Sequence, residues 1–269
     1  MALKREIAAA VAIPLVLSVL FFAPPIAFNA LVGAIALAAV WEFYRLAEKT
    51  GYPAAKTVGV AGGVLVFFAS GFLGVFARSE VGILVILGAV ALVAAFGQLA
   101  SSVEVSSALG GTGSTVLGLL LIAVPALAMC ALRTSSPRAV LFLFLIVWGC
   151  DSFAYYTGKN IGRRKLAPVV SPNKTWEGTI GGLVGATLIG AAAGTWWVLP
   201  ELGPARGALA GALASSAGQI GDLVESLWKR GAGVKDSGAF LPGHGGFYDR
   251  IDSLLFAGPV LAAFVYALR

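Results

Sequence analysis

Apolar residues run through this chain in long blocks, and short polar windows separate them. The blocks fall near 7–24, 26–46, 57–77, 81–99, 114–132, 139–157, 178–199, 206–228 and 251–268. A helix crossing roughly 30 Å of hydrocarbon needs about 20 apolar residues. The pattern therefore predicts nine transmembrane helices in an all-α, polytopic integral membrane bundle with a cytoplasmic N-terminus. No linker, low-complexity tail or fixed-period repeat divides it. The expectation is one membrane domain over 1–269, with N-terminal helices in 1–132 and the helices and loops that carry chemistry in 139–269. Pro24-Pro25 suits either a break between spans or a kink within a re-entrant pair. Ser101–Ser114 (SSVEVSSALGGTGS) reads as a short polar loop.

Composition narrows the class. Hydrophobic residues make up 58% and charged residues 12%, against about 25% charged in a soluble domain. So little charge cannot cover a globular surface in water. The net charge of +6 sits in short clusters at the ends of apolar runs. Such clusters fit the positive-inside rule and anionic headgroups, and do not call for nucleic acid. With the N-terminus inside, nine spans leave only Arg78, Arg133, Arg138, Arg206 and Arg269 of the 19 Lys and Arg residues on the far side. Both polar windows, 158–177 and 229–250, then face the cytoplasm.

Lys4 and Arg5 ahead of an apolar run resemble a signal peptide, but no A-x-A-like site precedes Pro24, so a retained first helix is expected. Cys130 and Cys150 lie inside apolar runs, with neither zinc spacing nor a disulfide framework. The spacings Gly178-x3-Gly182 and Gly207-x3-Gly211 allow close helix packing, within the chain or in a homodimer.

The polar residues concentrate in the C-terminal half. Ser226–Asp252 reads SLWKRGAGVKDSGAFLPGHGGFYDRID and holds the only histidine. Lys and Arg neutralise phosphate oxygens, Asp holds hard divalent cations, and glycine lets backbone N–H groups approach an anion. The mixture suits a place where metal and phosphate meet.

Ionisable residues within spans are costly and are functional candidates by default. Asp151 lies late in the sixth span, and Asp222 and Glu225 lie near the end of the eighth. Ser215, Gln219, Asp222 and Ser226 follow one another at helical spacing as a polar stripe that must face protein or water. For Ser215 and Gln219, interhelical glue is as good an account as function. For Asp222, with Asp249 and Asp252 ahead, a metal ligand is the better account. Glu42, three residues before Arg45, reads as half of a structural ion pair.

The other window carries Ser171-Pro172-Asn173-Lys174-Thr175 ahead of Glu177-Gly178. Hydroxyls, a lysine and a helix start together attract phosphate. The G-x4-G-K-[ST] pattern of soluble nucleotide-binding loops is absent.

With these residues in view, Ser226–Asp252 resembles the signature of the phosphatidate cytidylyltransferases, and Asp151 with Ser171–Gly178 resembles that family's upstream stretch. Trp228 is the one departure, where the family usually carries an aliphatic residue or Phe. The resemblance covers the C-terminal half, and the first 130 or so residues match only in hydropathy. It implies that CTP and phosphatidic acid react in the presence of Mg²⁺, with a second metal ion as the two-metal option, to give CDP-diacylglycerol and pyrophosphate. It also implies a bacterial inner membrane with the site on the cytoplasmic face.

Under this resemblance Asp222 and Asp249 are first-choice metal ligands, with Asp252 and Asp151 supporting them or holding the second metal. Lys229, Arg230, Lys235 and Arg250 bind phosphates, joined by Lys174, Ser171 and Thr175, and by Gly245 and Gly246 of the glycine loop. Asp236 is open to three roles: ribose contact, cation partner or metal ligand. His244 suits a phosphate hydrogen-bond donor better than a base. The competing readings are a CTP-dependent lipid kinase, which would release CDP, and an ion-coupled transporter, whose polar groups should spread across the membrane depth.

Overall fold

The computed structural model describes residues 14–68, 80–100, 104–195, 198–238 and 245–268. Helices dominate them: α1 (14–22), α2 (Pro25–Lys49), α3 (Lys56–Phe68), α4 (Glu80–Ala100), α5 (Val105–Gly118), α6 (Val124–Ser135), α7 (Pro137–Ile161), α8 (Trp176–Thr195), α9 (Gly203–Gly231) and α10 (Tyr248–Ala267). Between α7 and α8 lies an antiparallel hairpin, β1 (Lys165–Ala167) paired with β2 (Ser171–Thr175). The protein is an all-α polytopic membrane protein with this one small sheet among the described residues.

Six helical runs among the described residues are long and apolar enough to cross a membrane, against nine expected. They are Pro25–Lys49, Ile83–Ala100, Val105–Ser135, Pro137–Ile161, Trp176–Thr195 and Tyr248–Ala267. Over the described residues α3 is too short, and the polar residues of α9 lower its hydropathy.

Sequence punctuation sets the ends. Pro24-Pro25 separates α1 from α2, with Pro25 at the first helical position where its missing N–H costs nothing. At the other end of α2, Gly51 adopts φ +85°, the left-handed conformation that closes helices. Ser136 caps α7 by accepting from the Arg138 amide at 3.2 Å, and Pro137 follows it.

The described residues form two compact units. In the first, residues 24–127 with 228–250, the expected loop 101–114 is largely helix α5. Thr115, just past that stretch on α5, finds partners both inside the helix and outside it. The Thr115 hydroxyl donates to the Gly111 carbonyl at 2.8 Å and accepts from the Ala55 amide at 2.8 Å, while buried Tyr44 donates to the Thr115 carbonyl at 2.7 Å. A π turn, Leu119–Ala123, then joins α5 to α6 just ahead of Pro125, which cannot keep the regular ladder.

In the second unit, residues 14–23, 128–227 and 251–268, glycines set the helix spacing. A Cβ on Gly178 would lie 2.9 Å from the Ala154 carbonyl, and one on Gly182 2.9 Å from that of Cys150, so α8 lies against α7. Gly207 faces Gly190 backbone to backbone, and Gly211 faces the Ala186 carbonyl, so α9 lies against α8. Both glycine pairs singled out by spacing serve packing within the chain.

Candidate active site

In the second unit, α9 and α10 bring three carboxylates together. One oxygen each from Asp222, Glu225 and Asp252 lies within 4.8 Å of the others. Asp222 and Glu225 share a face of α9 at i and i+3, and Asp252 stands in the second turn of α10. The helices approach where α9 carries Gly221, since a Cβ there would meet the Asp252 carbonyl oxygen and the Phe256 ring, each at 2.7 Å. Asp222 and Asp252 are half-buried, while Glu225 is 1% exposed.

The β hairpin adds a cation. Lys174 on β2 pairs with Asp222 at 2.5 Å, and the Ser226 hydroxyl donates to the other Asp222 oxygen at 3.3 Å. Asp151 on α7 lies within electrostatic reach of both Asp222 and Lys174. The hairpin is tied at its base. The Glu177 carboxylate accepts from the backbone amides of Arg163 and Arg164, at 3.0 and 3.2 Å, and the Trp176 amide donates to the Arg164 carbonyl at 2.9 Å. Thr175 is buried, and its hydroxyl accepts from the Gly178 amide at 3.1 Å. It therefore caps α8, using one of the amides expected to greet phosphate. Ser171 opens β2 opposite Ala167.

The first unit holds a second polar set around Asp249. One of its oxygens accepts from Lys229 at 2.6 Å. The other accepts from the Ser237 amide (2.9 Å), the Ser237 hydroxyl (2.8 Å) and the Gly246 amide (2.7 Å). Lys229 and the side chain of Asp249 are nearly buried, at 11% and 8% side-chain exposure. The acidic group of α9 and α10 contains Asp222 and Asp252 of the four expected metal ligands, and Asp249 has its oxygens on these protein donors. Trp228, the departure from the family pattern, stands edge-on to Phe43, with ring centroids 5.2 Å apart, and stacks on buried Tyr248. Its large ring therefore fills a packing position.

The remaining residues divide simply. Arg230, Lys235, Asp236 and Arg250 are exposed, and Arg230 donates to the Val234 carbonyl at 3.1 Å. Gly245 takes φ +76°, a conformation other residues adopt with strain. His244 lies outside the described residues. Ser215 donates back to the Ala212 carbonyl within α9, whereas Gln219 donates to the Thr179 carbonyl and so ties α9 to α8.

Two residues take parts that the sequence reading did not give them. Glu225, a functional candidate as an ionisable residue within a span but not an expected metal ligand, belongs to the acidic group of the second unit, and Glu42 to the polar set of the first. Glu225 is legible in hindsight from its i+3 spacing to Asp222. Glu42 bonds to the Ser237 hydroxyl and to the amides of Phe247 and Tyr248, in place of the expected Arg45. No local pattern joins residues 195 positions apart.

Comparison with known proteins adds an independent finding. The family model described as the cytidylyltransferase family matches residues 3–268. A Brucella abortus (strain 2308) protein named phosphatidate cytidylyltransferase is 42% identical over 165 residues, 57% of this chain and 57% of its own length. A Pseudomonas aeruginosa protein of the same name is 42% identical over 151 residues, 55% of this chain and 56% of its own length. One from Staphylococcus haemolyticus is 47% identical over 131 residues, 49% and 50% of the two lengths. The chain thus spans little more than half the length of the curated relatives it matches.

Proposed function

Because this chain belongs to the cytidylyltransferase family, we propose that it transfers the cytidylyl group of CTP to phosphatidic acid, forming CDP-diacylglycerol and pyrophosphate. The proposed setting is the cytoplasmic face of a bacterial inner membrane. The observation that carries the proposal is the Asp222–Glu225–Asp252 group with Lys174 against it, built into a membrane protein. The shared name of the Brucella, Pseudomonas and Staphylococcus relatives supports the choice of lipid and nucleotide.

In this reaction a phosphatidate oxygen bonds to the α-phosphorus of CTP, and the bond from that phosphorus to the bridging oxygen of the β-phosphate breaks. The nucleophile is already an anion, so the chemistry needs no strong base. The obstacle is repulsion between two polyanions, and positioned positive charge removes it.

The donor set fits magnesium. All three groups are carboxylates, the hard oxygen ligands that Mg²⁺ prefers, and a cation among them relieves their mutual repulsion. Asp222, Glu225 and Asp252 would hold it, with Asp151 the candidate for a second cation. When bound, magnesium would neutralise phosphate charge and orient the groups for in-line displacement. Lys174 keeps an ammonium beside Asp222 and can turn toward a phosphate oxygen. Lys229, held by Asp249, and the exposed Arg230, Lys235 and Arg250 supply further positive charge for phosphates. Ser171, Gly245 and Gly246 remain candidates for phosphate contact, and Asp236 for the ribose.

The test is direct. Purified protein given CTP, phosphatidic acid and magnesium should form a CDP-lipid and pyrophosphate, stop on chelation, and resume when magnesium returns. Well-folded preparations that make no CDP-lipid under these conditions would overturn the proposal.

A further inference from the structure

Glu42 stands on α2, far in sequence from the polar motif, yet the motif is shaped around its carboxylate. It is 7% exposed. It accepts from the Ser237 hydroxyl at 2.9 Å, the Phe247 amide at 3.2 Å and the Tyr248 amide at 2.9 Å. A buried carboxylate is tolerated when donors surround it in this way.

Two features tie Glu42 to Asp249. The first is a shared donor. The Ser237 hydroxyl lies 2.9 Å from a Glu42 oxygen and 2.8 Å from an Asp249 oxygen. A hydroxyl carries one hydrogen, so Ser237 donates to one carboxylate at a time. The second is the glycine pattern. A Cβ on Gly238 or on Gly246 would collide with Glu42 carboxylate oxygens, and one on Gly245 would lie 2.7 Å from Asp249. Three glycines of the motif are thus accounted for by two carboxylates, one of which lies outside it.

The geometry points to Glu42 as a positioning residue for the proposed cytidylyl transfer. It holds Ser237 and the amides that open α10. Through Ser237 it fixes the direction of Asp249, and through Asp249 that of Lys229. This inference rests on the proposed function for its activity readout, though the contacts themselves do not depend on it.

The experiment compares wild type, E42Q, E42D, S237A and the E42Q/S237A double variant. E42Q keeps the volume but turns one acceptor into an N–H₂ group facing donors. It should lower kcat/KM for CTP about tenfold to a hundredfold while leaving KM for phosphatidic acid near wild type. E42D should recover part of the loss. S237A, which leaves the Glu42 charge untouched, should act in the same direction, and the double variant should be no worse than the worse single. Hydrogen exchange of peptides covering 235–252 should speed up in E42Q and S237A.

Wild-type constants in E42Q or S237A, or losses that multiply in the double variant, would overturn the inference. So would unchanged exchange across 235–252. If E42Q fails to fold, S237A decides the activity arm. If wild type itself makes no CDP-lipid, the functional reading falls, and the exchange arm still decides whether Glu42 positions the loop.

Discussion

Asp222 makes the two contacts that matter most for a metal-assisted reaction: it shares space with Glu225 and Asp252, and it pairs with Lys174. Replacing it by Asn keeps the shape and removes the charge. D222N and E225Q should each cut kcat about a hundredfold or more at fixed magnesium, with a raised magnesium requirement in E225Q. Steady-state kinetics against magnesium concentration check both, and a normal profile in either variant removes that residue from the ion site. Lys174 is half-exposed, so its substitution is survivable. K174Q should raise KM for CTP or for the lipid several-fold with the fold intact, and unchanged constants would leave the lysine as a partner of Asp222 alone. The contrast between Asp222 and Glu225 shows how periodicity reads a helix. A stripe at i, i+4, i+7 and i+11 picks out Ser215, Gln219, Asp222 and Ser226, and passes over Glu225, three positions beyond Asp222 on the same face in space.

At the scale of elements, the α9–α10 approach is the joint on which the carboxylate group depends. Gly221 faces the Asp252 carbonyl and the Phe256 ring with no room for a methyl. G221A should therefore destabilise the protein by about 1–3 kcal/mol and lower activity by more than the loss of folded protein explains. Thermal unfolding in detergent beside activity per folded molecule separates the two effects. Helix-to-helix spacing of this kind was legible in the glycine pattern, and the helices themselves were legible in the apolar blocks. The stretch Ser101–Ser114 was not, because polarity alone looks the same in a loop and in a helix. Thr115 shows the difference: its hydroxyl is satisfied by Gly111 and Ala55, partners that only the folded chain supplies. The hairpin at Lys165–Thr175 was hidden for a similar reason, since it is held by Glu177 and by backbone pairing.

Across the whole molecule, the sequence separates into a C-terminal half rich in motif and an N-terminal half rich only in hydropathy. The structure places residues of both halves in one unit, where Glu42 of α2 meets Ser237, Phe247 and Tyr248. That dependence could not be read from spacing, because it joins residues about two hundred positions apart through a buried carboxylate. The family match runs through residues 3–268 and so includes the half that local motifs leave silent. The phosphorus of CTP that reaches the lipid distinguishes cytidylyl transfer from phosphoryl transfer, and one isotope experiment identifies it. Purified protein is given phosphatidic acid, magnesium and CTP labelled at either the α- or the γ-phosphorus. Cytidylyl transfer leaves α-label in a CDP-lipid and γ-label in released pyrophosphate, whereas γ-label in the lipid with CDP released would contradict it.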